Sequence, residues 1–396
     1  MIIKRVKAKK IKNSRGEETI KVFVKSDTGK GEASAPSGAS KGKHAVKDFV
    51  GSVDDSIKFL KNCNELVGLE INSFDDLDKV EKIVDKEKYG SNTVIALEYA
   101  ILKALGSIWK LLNPKVRKIS RPLSNIIGGG AHFKGKGTDI QEFLVYPVGA
   151  MKISEAVKAN SLIHSKVSKK LREVCSDFSG EVTDEGAWAP NLNNYGALDL
   201  LSEIAKEVSR EVGFNIRIGL DIAASSLWDG KKYVYKNFSK DENEKSLDKK
   251  GQIKFVSELI EKYDLLYVED PLHEDDFSGF GTLTKKFGKK CMIVGDDLVV
   301  TSLERLKKAG KSINGVIVKP NQIGSLIETK KFVDYAKEKK MYLIVSHRSG
   351  ETIDASISHL AIGWEISMIK CGIYGSERIS KLDELRNIAR EIRSEK

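Results

Sequence analysis

Polar and apolar residues alternate along the first part of the chain and then change period. The run from Thr19 to Lys25 alternates toward a turn at Asp27-Thr-Gly29, and residues 2–35 are therefore predicted to form a β-hairpin or meander. Beyond this point apolar residues recur with a helical period of 3.6. The predicted helices span residues 46–60, 74–84 and 93–111. The N-terminal unit is therefore predicted to be α+β.

After Pro114 the pattern changes to short apolar runs that end in polar residues and precede amphipathic helices. The polar ends at 269, 296, 319 and 347 are separated by 27, 23 and 28 residues, the length of a strand, a loop and a three-turn helix. This repeat favours a (β/α) barrel or a doubly wound sheet. We choose the barrel, because barrel sites draw polar side chains from successive strand ends. The predicted strands span 216–221, 265–269, 292–297, 315–319 and 342–347.

One interval is longer than the others and predicts an insertion. Between Asp221 and Glu269 the segment Trp228-Asp-Gly-Lys-Lys-Tyr-Val-Tyr235 has the pattern of a turn leading into a short strand. We expect a β-hairpin inserted into the barrel here.

Composition excludes several classes of protein. The 396-residue chain has no stretch near the roughly 18 apolar residues of a membrane span and no signal-peptide pattern, so we expect a cytoplasmic protein with no membrane partner. Its four cysteines are scattered and are expected to be reduced and buried. The net charge of +11 would suit a nucleic-acid partner, but the lysines are dispersed beside glutamates with few aromatics between them. Nucleic-acid binding is therefore not expected.

Three acidic residues follow three of the predicted strands. Asp221, Glu269 and Asp296 would converge at one end of a barrel, and all-oxygen ligation suits Mg²⁺. The alternative for each residue is a cap for the following helix, which weakens as an explanation for three in succession.

The next two strand ends carry a base and a candidate anion site. Lys319 ends an apolar strand, and a lysine beside a divalent cation loses its proton more readily, as a carbon base must. A surface lysine is the alternative. His347-Arg348-Ser349-Gly350 offers a bidentate cation, a hydroxyl and backbone donors suited to phosphate, or alternatively a turn that caps a helix from Asp354.

A glycine-rich segment at 128–137 imitates a nucleotide-binding motif. Gly130 to Lys136 matches the first seven positions of the P-loop, but Gly137 stands where Ser or Thr should hold Mg²⁺, and no helix pattern follows. A mobile glycine-rich lid is the better interpretation.

Taken in order, the motifs of the whole chain resemble those of the enolases, with the character of a divergent, archaeal-type member. The N-terminal half carries Ser14-Arg-Gly16, Pro36-Ser-Gly-Ala-Ser40, Gln141-Glu-Phe143, Pro147-Val-Gly149, Asp184-Glu-Gly186 and Ala189-Pro-Asn191. The C-terminal half carries Leu220-Asp-Ile-Ala-Ala-Ser225, Glu269-Asp-Pro271, Gly295-Asp-Asp-Leu298, Lys319-Pro-Asn-Gln-Ile-Gly324, Ser346-His-Arg-Ser-Gly-Glu-Thr352, Ile369-Lys370 and Ser376-Glu-Arg378.

This resemblance implies an enolase-type (β/α)8 barrel, ββαα(βα)6, over residues 119–396, and an N-terminal α+β capping domain over residues 1–118. It implies a Mg²⁺-dependent hydro-lyase that reversibly dehydrates 2-phosphoglycerate to phosphoenolpyruvate in glycolysis and gluconeogenesis, and a homo-oligomer, either dimer or octamer. Two Mg²⁺ ions are expected per site with substrate bound.

The resemblance also implies a role for each matching residue. The metal ligands would be Asp221, Glu269 and Asp296 for the first ion and Ser40 for the second. Lys319 would be the base and Glu185 the acid, assisted by Glu142. The residues expected to bind substrate are Gln141, His132, His347, Arg348, Ser349 and Lys370.

Some loops depart from the family pattern, and other functions stay open. The altered segments are Asn13 to Thr19, Lys41, the stretch from His132 to Glu142, which is one residue longer than expected, and Gly186-Ala187. These differences are expected to affect lid motion and substrate affinity more than the catalytic chemistry. The alternatives are another superfamily lyase that acts on a carboxylate without phosphate, and a catalytically altered paralogue that acts as a binding protein.

Overall fold

The chain begins with a three-stranded antiparallel sheet, as its alternating pattern predicts. In the computed structural model, which describes residues 1–38 and 43–394, the strands are β1 (Ile3–Lys12), β2 (Glu18–Ser26) and β3 (Lys30–Ser34). Ile20, Val22 and Val24 of β2 are buried on one face. The meander over residues 2–35 is confirmed.

Among the described residues, five helices follow this sheet and complete the α+β unit. They are α1 (Val53–Asn62), α2 (Leu77–Glu81), α3 (Lys86–Tyr89), α4 (Ser91–Leu105) and α5 (Ile108–Leu112). Helix α4 packs directly on β2 and β3. A Cβ at Gly31 would lie 2.1 Å from the carbonyl oxygen of Ala100, so the close approach of α4 to the sheet requires glycine there.

The helices predicted in this unit are longer than those in the structure. The first helix begins at Val53 and not at Val46, because Ser52 accepts a hydrogen bond from the amide of Asp55 in a capping box. The amide of Val46 instead donates to the carbonyl of Gln322 in the second half of the chain. The predicted helix over 93–111 is two helices separated at Gly106.

Eight strands then close a barrel, which confirms the choice of a barrel over a doubly wound sheet. In sequence the strands are β4 (Arg121–Gly128), β5 (Glu142–Pro147), β6 (Ile216–Asp221), β9 (Tyr267–Glu269), β10 (Met292–Gly295), β11 (Gly315–Val318), β12 (Tyr342–Ser346) and β13 (Met368–Lys370). Around the barrel the order is β10-β11-β12-β13-β4-β5-β6-β9. Several strands stop one or two residues earlier than predicted, so Asp296, Lys319 and His347 lie just beyond strand ends.

Helices follow the barrel strands along the described chain. They are α6 (Ile153–Val174), α7 (Asn194–Val212), α8 (Lys249–Tyr263), α9 (Phe277–Phe287), α10 (Leu303–Ala309), α11 (Pro320–Ile323), α12 (Leu326–Glu338), α13 (Ser356–Gly363) and α14 (Ser376–Ser394). Side-chain caps such as Asn193, Asp248 and Ser325 set where three of them begin. The predicted insertion is confirmed as a hairpin of β7 (Tyr233–Tyr235) and β8 (Lys245–Leu247).

One barrel strand runs against the others. Strand β5 is antiparallel to both β4 and β6, and it is followed by α6 and α7, so the barrel begins β-β-α-α as the resemblance implied. In this register Glu142, the first residue of β5, lies opposite Asp221, the last residue of β6. The reversed strand therefore brings its beginning to the end of the barrel where the parallel strands finish.

Burial confirms that the cysteines lie inside the protein, and it shows how the barrel is filled. Apolar side chains from successive strands fill the barrel, among them Leu144, Tyr267 and Ile317. The cysteines Cys63, Cys175, Cys291 and Cys371 are buried and free. In the part of the chain that the structure describes, no helix is both long and apolar enough to cross a membrane.

An ion pair joins the N-terminal unit to the barrel and carries a stability prediction. Lys103 of α4 donates to the Asp354 carboxylate at 2.7 Å, and Asp354 also accepts the amide of Ser356. Burial raises the pKa of Asp354, but Lys103 outweighs it and the net pKa is lowered. A lowered carboxyl pKa contributes stability above the ordinary value near 3.8, and that stability is lost as the pH falls through the folded-state pKa.

We expect Asp354→Asn to lower the free energy of unfolding by about 2 kcal/mol at pH 7. Urea melts at pH 7 and at pH 3 would measure the difference from wild type, which should shrink at the lower pH. Asp241→Asn, at an exposed site, is the control. A difference that is independent of pH would contradict the assigned role of the pair.

Candidate active site

Polar side chains collect at the end of the barrel where the parallel strands finish. This end has a buried cavity whose lining includes residues from both halves of the chain. The lining residues are Gly38, His132, Gln141, Glu142, Glu185, Asp221, Ala223, Asp270, Asp296, Asp297, Lys319, Ser346, His347, Arg348, Ser349 and Lys370. The sequence-predicted site residues among the described residues therefore meet in one place, with Glu269 directly behind Lys370. Ser40 and Lys41 lie outside the described residues.

Lys370 is the meeting point of the carboxylates. Its ammonium nitrogen lies 2.7 Å from Asp221 Oδ2, 2.7 Å from Glu269 Oε2 and 3.2 Å from Glu142 Oε1. The lysine side chain is only 2% exposed, and these carboxylates raise its pKa well above its ordinary value despite burial. Lys370 is thus a fixed, buried cation at the base of the cavity.

Lys319 forms a second cation–carboxylate pair. It follows β11 directly and its ammonium group donates to Asp296, while the Gln322 amide donates to the other Asp296 oxygen at 2.9 Å. Burial lowers the pKa of Lys319, but Asp296 more than compensates, so the net pKa is raised. Positive charge bound near Asp296 would offset this effect and lower the pKa of Lys319.

A carboxyl pair with two histidines forms the other side of the site. Glu185 lies 3.3 Å from His347 Nε2 and 3.8 Å from His132 Nδ1, and it accepts from the Asn125 amide at 3.2 Å. Burial raises the pKa of Glu185, but the two histidines outweigh it and hold the pKa well below its usual range. For Glu142, burial and the charge of Glu185 raise the pKa well above that range. The charge on each of these two carboxyls therefore affects the pKa of the other.

The carboxylates fit a hard divalent cation. Glu269 Oε1, Glu142 Oε2 and Gln141 Oε1 are buried oxygens that accept no hydrogen bond from the described residues. Burial, and then Asp221, raise the pKa of Glu269 to about 8. Buried oxygens that lack donors, in a site with more carboxylates than nearby ammonium groups, are suited to ligating Mg²⁺.

Two further acidic residues were not assigned a role from the sequence. Asp270 and Asp297 have carboxylate oxygens within 4.8 Å of each other and of Asp296. Asp270 also accepts the amides of Asp296 and Asp297 at 3.0 and 2.8 Å, and so fixes the backbone that carries the predicted ligand Asp296. Burial, and then Asp296, raise the pKa of Asp297 to about 7. In the sequence, both residues could have been found as the second of two adjacent acids, Glu269-Asp270 at the end of β9 and Asp296-Asp297 after β10.

A buried arginine was also overlooked as a positioning group. Arg378, at the start of α14, donates to the carbonyl of Ser349 at 2.6 Å, to the carbonyl of Asp184 at 3.1 Å and to Ser14 Oγ at 2.9 Å. It thus ties together the loops that carry Ser349 and Glu185. The motif containing Arg378 was recognised, but nothing in the spacing connected it to those loops.

Arg348 and Ser349 lie at the cavity wall, in the turn after β12. The Arg348 guanidinium donates to Asn321 Oδ1 at 2.5 Å, and both residues are at most 6% exposed. Ser37 exchanges two backbone hydrogen bonds of 2.8 Å with Gly350, so the N-terminal unit reaches the barrel mouth beside this turn. The Gln141 amide donates to Asp221 at 3.3 Å.

The glycine-rich segment does not have P-loop structure. Strand β4 is followed by a short 3₁₀ turn, Gly130–His132, and then by β5, with no intervening α-helix. The turn delivers His132 to the cavity. This agrees with the rejection of a nucleotide-binding loop.

The fold and site together define a class: barrel enzymes that set a lysine and several carboxylates at the mouth to remove a proton from carbon. The family model described as "Enolase, C-terminal TIM barrel domain" matches residues 117–396, and "Enolase, N-terminal domain" matches residues 3–111. The chain belongs to the enolase family, and it is an enzyme of the lyase class.

Similar curated proteins span almost the whole chain. An enolase of Methanothermobacter thermautotrophicus is 43% identical, over 99% of this chain and 97% of its own. An enolase of Pyrobaculum aerophilum is 42% identical over 96% and 94%, and one of Archaeoglobus fulgidus is 39% identical over 98% and 97%. The archaeal character expected from the motifs is confirmed.

Proposed function

We propose that the chain is a Mg²⁺-dependent enolase that interconverts 2-phosphoglycerate and phosphoenolpyruvate. The observation that supports this most strongly is that one buried cavity holds an amine, a coupled carboxyl pair, a carboxylate cluster and an arginine-serine turn. The first three suit removal of a carbon-bound proton and loss of a hydroxyl, and the fourth suits a phosphate group.

Lys319 is proposed as the base that takes the proton from carbon 2. Its side chain is largely buried and its ammonium group donates to Asp296, so its position is fixed before substrate arrives. A cation held by Asp296 would neutralise the charge that raises the pKa of Lys319, and the burial of the lysine would then favour its neutral amine.

Glu185 and Glu142 are proposed to deliver a proton to the departing hydroxyl of carbon 3. A buried pair with His132 and His347 alongside can hold one proton and move it between carboxyls, because each carboxyl depends on the charge of the other. The carboxyl pair and Lys319 lie on different strands and loops. The pKa values of the acid and of the base can therefore be set independently.

Asp221, Glu269 and Asp296 are proposed as ligands of the first Mg²⁺, with Ser40 helping to hold a second. Bound Mg²⁺ would stabilise the negative charge that develops on the substrate carboxylate when carbon 2 loses its proton. Lys370, already among these carboxylates, adds a fixed positive charge at the same place. Each factor of ten in rate requires about 1.4 kcal/mol of such selective stabilisation.

The remaining residues are proposed to hold the substrate. Arg348 and Ser349 would bind the phosphate, Gln141 and Lys370 would contact the substrate, and His132 and His347 would close around it. Arg378 would keep the Ser349 and Glu185 loops in register. We also propose domains of 1–118 and 119–396, a cytoplasmic location, and a homodimer or homo-octamer.

A direct assay tests the proposal. We expect the purified chain to form phosphoenolpyruvate from 2-phosphoglycerate and Mg²⁺, measured by ultraviolet absorbance. A phosphate-free sugar acid in the same assay tests the superfamily alternative, and it should give no product. Absence of any turnover by folded protein would instead favour a binding role.

Removal of the metal gives a second prediction. EDTA should reduce turnover to background while circular dichroism stays unchanged, because the barrel core is built from apolar side chains and does not include the cation ligands. Added Mg²⁺ should restore the rate. Turnover that persists in EDTA would contradict metal dependence.

A further inference from the structure

A cluster of arginines lies at the opposite end of the barrel from the active site. Arg121 opens β4, whose other end leads to the cavity described above, and Arg117 precedes it. Three more arginines lie on α14, which packs beside the start of α6. Together they line two adjoining cavities of about 420 and 290 Å³ that share Arg393. We call this region the arginine groove, formed by Arg117, Lys118, Arg121, Arg386, Arg390 and Arg393.

The choice of arginine is unusual for this chain. Lysine supplies most of its basic residues, yet five of its thirteen arginines line the arginine groove. Arginine differs from lysine in presenting a planar fork that binds two oxygens of one phosphate. The enrichment therefore points to oxyanion recognition and not to general solubility.

The charges in the groove are incompletely neutralised. Neither cavity lining includes an acidic residue, and among the described residues Arg390 and Arg393 have no carboxylate partner. Asp383 pairs with the groove residue Arg386 at 2.7 Å, and Glu391 lies 3.6 Å from Lys110, which is outside the groove.

The positions of these arginines on α14 also destabilise the helix when no ligand is bound. Residues 386, 390 and 393 lie on one face of α14, where like charges three or four residues apart destabilise a helix. The helix dipole favours a cation in the last turn, which accounts for Arg393 but not for the others. A bound anion would remove this repulsion.

The floor and rim of the groove indicate the size of the ligand. Ala389, Ile392 and Ile153 are buried beneath the arginines, and Arg121 is fixed by donating to the Val148 carbonyl at 3.3 Å. The cavities are of the size that encloses a small molecule. No aromatic side chain lines them to stack on a base, which disfavours single-stranded nucleic acid.

We propose that the arginine groove is a binding site for a compact small molecule that carries several phosphate groups. Two or three neighbouring phosphates would each meet a guanidinium from α14 or from the segment that leads into β4. Because the site lies at the far end of the barrel, such a ligand binds without occupying the active-site cavity.

Calorimetric titration with inorganic tripolyphosphate, in EDTA and low salt, tests this proposal. We expect saturable binding that weakens at least tenfold in the double variant Arg390→Gln, Arg393→Gln. The matched control is Arg172→Gln with Arg210→Gln, which removes the same charge from exposed positions on α6 and α7 and should change Kd less than twofold. Binding should persist in Arg348→Gln, which separates the groove from the proposed active-site phosphate contact.

Several outcomes would overturn the proposal. These are the absence of saturable binding, equal weakening in the control pair, or loss of binding in Arg348→Gln alone. Binding of a uridine homopolymer without binding of tripolyphosphate would also overturn it, in favour of nucleic acid. Melting temperatures of all variants, taken in the same buffer, show that binding differences do not come from unfolding.

Discussion

Replacing Lys319 by alanine is expected to reduce the turnover of 2-phosphoglycerate at least about 10³-fold. The variant loses the amine that we propose removes the carbon-2 proton, and general base catalysis contributes about 10²–10⁴-fold. It also leaves the buried Asp296 without its ammonium partner. Steady-state absorbance assays at saturating Mg²⁺ would measure the loss.

The matched control for this variant is Lys311→Ala, at an exposed position before β11. It removes the same side chain from outside the cavity and should leave the rate unchanged. Similar activity in the Lys319→Ala enzyme, with both variants folded by circular dichroism, would show that another group is the base.

Replacing Glu185 by glutamine is expected to separate two steps of the reaction. The amide has nearly the same shape but cannot donate a carboxyl proton, so dehydration should fall by about 10²–10⁴-fold. Removal of the carbon-2 proton by Lys319 should continue. In D₂O the carbon-2 hydrogen of 2-phosphoglycerate should therefore exchange for deuterium, as followed by proton NMR, while little phosphoenolpyruvate appears.

The two variants make opposite predictions for exchange, which makes the assignment testable. Lys319→Ala should show neither exchange nor product, whereas Glu185→Gln should show exchange alone. Glu173→Gln, at an exposed position on α6, is the control and should behave as wild type. If exchange ceases in Glu185→Gln as well, the separate roles of acid and base are wrong.

The parallel part of the barrel was predictable because its pattern is local. Each parallel strand is a short apolar run that ends in a polar residue, and parallel strands finish at the same end of a barrel. Asp221, Glu269, Asp296 and Lys319 could therefore be placed together from spacing alone, and the structure brings them to one mouth.

Site residues outside that pattern were assigned only through the family resemblance, or were overlooked. Glu142 begins a reversed strand, and Glu185 lies on a loop between α6 and α7, so no rule about strand ends finds them. Arg378 acts through carbonyl groups that are distant in sequence. Val46 has a helical pattern locally, yet its amide bonds to Gln322, which only the folded chain brings near.

The reversal of β5 has a consequence for how such a barrel can diverge. Because β4 and β5 are antiparallel, the 129–141 connection stays at the mouth and never returns along the outside of the barrel. This stretch, with the residue that follows it, carries His132, Gln141 and Glu142. A one-residue insertion between His132 and Gln141, such as the extra length noted from the sequence, can reposition His132 while the pairing of Glu142 with Asp221 stays intact. Changes in residues 129–141 can therefore alter the cavity, in evolution or by design, while the barrel strands keep their positions.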